Sequence, residues 1–285
     1  MTQERARQEI QQQKELPTLS PNIEEILQAC KDHDIDHHQL SKILEGSPTI
    51  TARLLGLANS AFFGQQGRVN SLSHAISILG LVTVRSVTIG LVVSSVFDGH
   101  KCPNFRADRY WTSTVMTSVL AQELFKGITI DDGPDKNSVF VAGLLHNIGL
   151  IALVHLYPDE MNRAFTNYAA NPEKVLAEHI QEQINTDHYQ AGVWLGNKWH
   201  LPSSLLLVME HHYDRDYRGR EWALVQLEGV AARWANQIID QHENLSDESD
   251  SFSALGITKA HIELSLQNTR EKLDQINEMA SLLAN

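Results

Sequence analysis

Apolar residues recur at three- and four-residue steps along most of the chain, and the alternation expected of strands is scarce. The pattern predicts an all-helical protein. Asp36 with Gln39 three residues later forms a capping box for a helix that Gly46 ends. Ser20-Pro21 and Ser47-Pro48 each place a cap before a proline at the first helical position. After the second of these, Ile50, Leu54, Leu57 and Ala61 share one face. Gly64 to Gly67 reads as a loop, and Ser71 to Leu79 as a short helix stopped by Gly80. Thr83 to Phe97 is apolar nearly all round, the pattern of a central helix, with Gly90 marking a close packing point.

Asp98 to Asp108 reads as a linker, after which Trp111, Val115, Val119, Leu120 and Leu124 form a new stripe. Helices follow at about 138–154, 159–170, 173–184, 188–199, 203–212 and 221–241. The organisation expected is a polar extension over 1–13, a helical bundle over 14–98, a second bundle over 108–241 and a C-terminal helix within 257–285. Residues 1–15 lack an apolar stripe, and 244–253 is acidic and serine-rich, an exposed linker. Over the last helix, Ile262, Leu266, Thr269, Leu273, Ile276, Ala280 and Leu283 alternate four- and three-residue steps. That seam either docks on its own domain or joins a partner helix, a homodimer included.

Composition narrows the function. The 285 residues carry 35 acidic and 23 basic side chains, a net charge of -12. Such a field repels phosphate backbones, so nucleic acid is not an expected partner. No run reads as long and apolar enough to span a bilayer, the strongest being Val87 to Phe97, and no membrane association is expected. The N-terminus lacks an apolar signal core, and Cys30 and Cys102 lack metal or redox spacing. Both point to a cytoplasmic protein. There is no glycine-rich phosphate loop and no nucleophile elbow. The five tryptophans, at 111, 194, 199, 222 and 234, fall on helical stripes and read as core.

Two stretches carry a resemblance. The first is Ser47-Pro48-Thr49-Ile50-Thr51-Ala52-Arg53-Leu54-Leu55-Gly56-Leu57-Ala58-Asn59-Ser60-Ala61-Phe62-Phe63-Gly64, followed by Ser71 to Ile76 and Leu79-Gly80. The second is Val139 to Gly149, containing Gly143-Leu144-Leu145-His146-Asn147, followed by Asp187-His188, Trp199-His200-Leu201-Pro202 and His211-His212. Together they resemble the HDOD domain, a bacterial signalling relative of the HD-type metal phosphohydrolases, over about residues 14–240. The resemblance implies an HD-domain-like fold of two helical bundles and a regulatory role.

It also implies a metal site that has been taken apart. HD enzymes resemble one another in a first His, a His-Asp pair and a late Asp. Those positions fall here at Ser113, His146-Asn147 and Ala232. Asparagine offers a cation one neutral oxygen where aspartate offers an anionic pair. His188, His211 and His212 match the extra histidines of extended versions. A cluster of His146, His188, His211 and His212 in one cleft is expected, either as a weak or vestigial metal site or as structural histidines. Two metals need anionic ligands that these positions lack, whereas neutral imidazoles can hold one transition ion.

No catalytic residue is therefore assigned and no cofactor is expected, a single divalent transition metal remaining open. The leading expectation is a non-catalytic signalling module that binds a protein partner or a small messenger. One rival is a divergent metal-dependent phosphohydrolase drawing on Glu178, Asp187 or Glu210. Another is a nucleotide sensor that does not hydrolyse. Arg53 and Asn59 read as polar side chains that hold the following loop through backbone carbonyls, with anion or partner binding the alternative.

Overall fold

A computed structural model of the chain describes residues 21–32, 34–60, 68–97, 99–199 and 201–284. The polar N-terminal segment, the Ser20 cap, Ala61, the 64–67 loop, Phe62-Phe63 and His200 lie outside the described residues. Among those described there are helices and no strands, as the apolar periodicity predicts.

Five helices come first: α1 (Pro21–Lys31), α2 (His37–Leu44), α3 (Pro48–Ala58), α4 (Leu72–Leu79) and α5 (Leu81–Val96). The capping box at α2 forms as expected, with the Asp36 carboxylate accepting from Gln39 N–H and the Gln39 side chain accepting from Asp36 N–H. Leu40, Leu44, Leu54, Leu72 and Ile76 are fully buried between these helices. Asn59 donates to the Leu55 and Val69 carbonyls and accepts from Val69 N–H, so it holds the following segment as anticipated. The loop expected to be held by Arg53 lies outside the described residues; among those described its guanidinium meets the Ser94 hydroxyl on α5 at 3.3 Å.

The segment before α6 (Ala107–Phe125) is docked, with Asn104 bonded to Asn162 and Thr166. Helix α6 is the axis of the molecule, buried on nearly every side from Tyr110 to Leu124. Around it run α7 (Lys136–Leu145), α8 (Ile148–Leu156), α9 (Pro158–Ala170), α10 (Leu176–Ile184), α11 (His188–Lys198), α12 (Ser203–His211) and α13 (Trp222–Ile239). The single helix expected at 138–154 is two, because the chain breaks at His146-Asn147. The stretch Ser138–Leu156 reaches a mean hydropathy of 2.0, so the expectation that no run is long and apolar enough for a bilayer fails there. It is 89% buried inside the fold, its apolar faces turned into the core.

Two further expectations are corrected. The stretch 244–253 is not an exposed linker: Glu248, Ser251 and Phe252 are buried and α14 (Ser249–Leu255) forms within it. The Glu248 carboxylate takes both arms of Arg233 at 2.7 and 2.8 Å and Arg215 at 3.0 Å, which offsets the cost of burying it. The C-terminal helix is likewise two, α15 (Lys259–Glu271) and α16 (Leu273–Ala284), broken at Lys272. Its seam packs on α6 of the same chain, with Thr269, Ile276, Ala280 and Leu283 buried.

That docking centres on a buried carboxylate. Glu123 of α6 accepts from Lys126 at 2.7 Å, Lys272 at 2.6 Å and Asn268 at 3.0 Å. Burial alone would raise its pKa, but these bonds outweigh it and hold the carboxyl at about 2. The stabilisation is therefore complete above the unfolded carboxyl range and is lost as pH falls from about 4.5 toward 2. Glu123→Gln should lower stability by about 3 kcal/mol and expose helices α15 and α16 to limited proteolysis. An unchanged melting temperature and cleavage pattern would contradict this account.

Candidate histidine site

The break between α7 and α8 builds the site. Leaving α7, the backbone places His146 at the C-cap and turns at Asn147 (φ -114°, ψ 22°) into α8. Gly149, one turn on, lies against α11, and any β-carbon there would collide with the His188 carbonyl and Gly192 N–H. Only glycine lets α8 approach α11 so closely, which brings His188 beside His146. Gly229 of α13 does the same for the end of α12, since a β-carbon there would strike the His212 carbonyl.

His146, His188 and His212 come together in this way, each under a tenth exposed. The His146 and His212 rings meet edge to face at 5.0 Å. His146 Nδ1 lies 2.7 Å from the Gly143 carbonyl, and His212 Nδ1 lies 2.8 Å from the Val208 carbonyl. A carbonyl only accepts, so Nδ1 of each neutral ring carries the proton and Nε2 presents a lone pair. Burial pushes the His146 pKa down to about 4. Burial and the nearby His146 push His188 down to about 3, and the same causes hold His212 well below its ordinary value.

His211 does not join them, contrary to expectation. Consecutive helical residues point about 100° apart. His211 therefore faces outward, stacked on Tyr217 at 4.3 Å and 3.6 Å from Glu210. The carboxylates considered with it also stay apart. Glu178 is exposed, Glu210 sits beside His211, and the Asp187 side chain caps α11 by accepting from Gln190 N–H.

The remaining ligand positions are occupied by helix packing. Ser113 donates to Asn236 Oδ1 at 2.9 Å, and Asn236 donates in turn to the Ala232 carbonyl at 2.9 Å. One chain of hydrogen bonds thus joins the first and last positions of the expected metal set, clamping α6 to α13. The Asn147 side-chain oxygen is buried without a hydrogen-bond partner. Among the described residues no three His, Cys, Asp or Glu side chains are arranged to hold a metal ion. With no carboxylate among the gathered groups, the donor set does not fit a two-metal centre.

Sequence reasoning missed three groups here. Tyr189 packs on His188 at 4.0 Å and on His212 at 5.1 Å, and stacks on Tyr213 at 4.3 Å. These rings fill the mouth of the cluster. Arg233 links the His212 carbonyl, at 3.2 Å, to the buried Glu248. Its place next to Ala232 was visible in the sequence, but its partner fifteen residues on was not. Glu228 is fully buried with both oxygens unpartnered, and burial raises its pKa well above the ordinary value.

The sequence model of the HDOD domain matches residues 16–215. The chain belongs to the HDOD family. An uncharacterized protein of Treponema pallidum (strain Nichols) is 27% identical over 214 residues, 73% of this chain and 39% of the relative. The chain thus spans about two-fifths of that relative's length. Three solved structures share the fold. A candidate signal transduction protein from Marinobacter aquaeolei VT8 aligns with a TM-score of 0.79 at 19% identity, over 95% of this chain and 60% of that one. An HDOD domain protein of unknown function from Geobacter sulfurreducens gives 0.73 at 17% identity, over 98% of each. A candidate phosphohydrolase from Shewanella amazonensis SB2B gives 0.75 at 23% identity, over 97% of each. The fold shared with the Geobacter structure therefore runs on through most of the chain, beyond the 16–215 match.

The buried histidines set a pH dependence. Their folded pKa values lie below those of the unfolded chain, so their stabilisation is full above about pH 6.5 and lost as pH falls toward 4. At pH 5.5, His146 and His188 should each cost roughly 1 kcal/mol relative to pH 7.5. Denaturant titrations at the two pH values check this, and equal midpoints would refute the buried neutral cluster.

Proposed function

We propose that this HDOD domain is a non-catalytic regulatory module of the cytoplasm that binds a protein partner or a small messenger. The observation that carries the reading is the Ser113–Asn236–Ala232 hydrogen-bond chain. Where HD enzymes place a histidine and an aspartate around metal, this chain has helix packing and no anionic donor. The neutral state of His146 and His188 supports it further, because neither ring brings charge to a phosphoester. Tyr189 packs on His212 and stacks on Tyr213, so aromatic rings lie against the cluster. The acidic balance of the chain argues against nucleic acid as the partner.

A metal-dependent phosphohydrolase is the reading that the gathered imidazoles favour, since two Nε2 lone pairs face inward behind Nδ1–carbonyl bonds. Metal content separates the two. Untagged protein purified without added metal should hold far less than one equivalent of iron, manganese, nickel or zinc by plasma mass spectrometry. It should also release no product from bis-p-nitrophenyl phosphate with added manganese. Stoichiometric metal that disappears in His146→Gln, together with turnover, would overturn the non-catalytic reading.

A further inference from the structure

Arg53 stands at the wall of a cleft of about 670 Å³ where three parts of the chain meet. α3 contributes Arg53, the end of α5 contributes Ser94 to Phe97, the start of α6 contributes Trp111, and α16 contributes Ala284. A cleft of this size lies in the range of small-molecule sites. Arg53 also borders a neighbouring cavity of about 520 Å³ with Glu278, Ser281 and Leu282 of α16.

The guanidinium has five N–H donors, and the structure gives it one acceptor, the Ser94 hydroxyl at 3.3 Å. No carboxylate among the described residues pairs with it. Glu278 borders the neighbouring cavity but makes no ion pair with Arg53, and Arg106 on the far rim is already bidentate to Asp108 at 2.9 and 2.5 Å. Arg53 is half-buried, burial lowers its pKa, and among the described residues only the Ser94 hydroxyl meets its charge. Facing it, Phe97, Phe105 and Trp111 form an aromatic wall, while Ser95 and His100 add polar groups at the rim.

We propose that this cleft binds a small organic anion, with a phosphate or carboxylate on Arg53 and a planar apolar body against Phe97 and Trp111. The proposal rests on reading the chain as a binding module and names the messenger's chemistry. The arginine fork matches a phosphate or carboxylate in two bonds, and the aromatic wall suits a flat ring. The site touches the first bundle, α6 and the C-terminal helix together. An occupant would therefore tie α16 to the body of the domain.

Phenylphosphonate is the probe, because it carries the anion and the ring and cannot be hydrolysed to phosphate. Saturation-transfer NMR and calorimetry on the full chain should show saturable binding at millimolar concentration, with phenol giving none. Arg53→Met keeps the apolar stem and should weaken binding by about tenfold or more, with Arg53→Lys between. Both variants should melt no lower than the wild type by circular dichroism, because among the described residues Arg53 holds only the Ser94 hydroxyl. Equal affinity in Arg53→Met, or no saturable binding to the wild type, would overturn the site. Neither result bears on metal content, so the site and the non-catalytic reading fail separately.

Discussion

Everything in this fold depends on burying α6. A helix covered on nearly every side has no solvent face on which to hide polar groups, so each one it carries must find a partner. Thr114, Thr117 and Ser118 solve this within the helix, donating to the carbonyls of Trp111, Ser113 and Thr114 at 2.8 to 3.1 Å. Ser113 reaches across to Asn236, and Glu123 draws in Lys126, Lys272 and Asn268. The first bond fixes α13 and the second group fixes the C-terminal helices. The positions of both outer layers follow from satisfying polar atoms on the central helix, with apolar packing providing the bulk of the adhesion.

The same requirement shapes the positions that the family resemblance matches to metal ligands. A helix bearing a ligand histidine and a helix bearing a ligand aspartate are drawn together by the ion between them. Remove the ion and two buried polar side chains face each other unpaired, a cost of several kcal/mol by ordinary desolvation. Serine at 113 and alanine at 232 shrink that gap. Asn236, one turn beyond Ala232, spans what is left. Burial keeps the gathered histidines neutral; His146 and His212 are satisfied at Nδ1 by carbonyls of their own helices and behave as polar core residues, whereas His188 Nδ1 is buried without a hydrogen-bond partner among the described residues. Gly149 and Gly229, which permit the close approaches, remain because the backbones still touch.

What the sequence revealed was what local chemistry decides. The Asp36–Gln39 box, the helical periodicity and the Asn59 clasp each involve residues close in sequence, and each was legible before the structure. Breaks inside continuous apolar patterns were not. Nothing in the spacing of Ile262 to Leu283 signals the turn at Lys272, since the seam keeps its period across it. At that break the Lys272 ammonium reaches Glu123, 149 residues away. The histidine cluster was half legible: a shared ligand pattern named four candidates, but adjacent residues cannot share one helix face. Choosing His212 over His211 required the phase of α12. The buried Glu248 in a stretch that reads as a linker was hidden for the same reason as Lys272, its partners Arg233 and Arg215 being distant in sequence.

Two arginines show how differently one side chain can be used in one molecule. Arg233 is enclosed, bidentate to Glu248 and bonded to the His212 carbonyl, so its charge is matched and its position fixed. Arg53 is half-buried with a single hydroxyl contact and faces open space. Desolvating a charge without matching it is unfavourable, and a methionine or leucine at 53 would pack the seam at lower cost. Structural demand therefore does not account for arginine there. A desolvated group that borders a cleft and meets no carboxylate among the described residues is best explained by a partner that arrives from solution. Because the cleft is walled by α3, α5, α6 and α16 together, that partner would act on the contact between the first bundle and the C-terminal helix. In a domain whose histidines no longer meet a carboxylate, such a contact is where a binding event could still alter the fold.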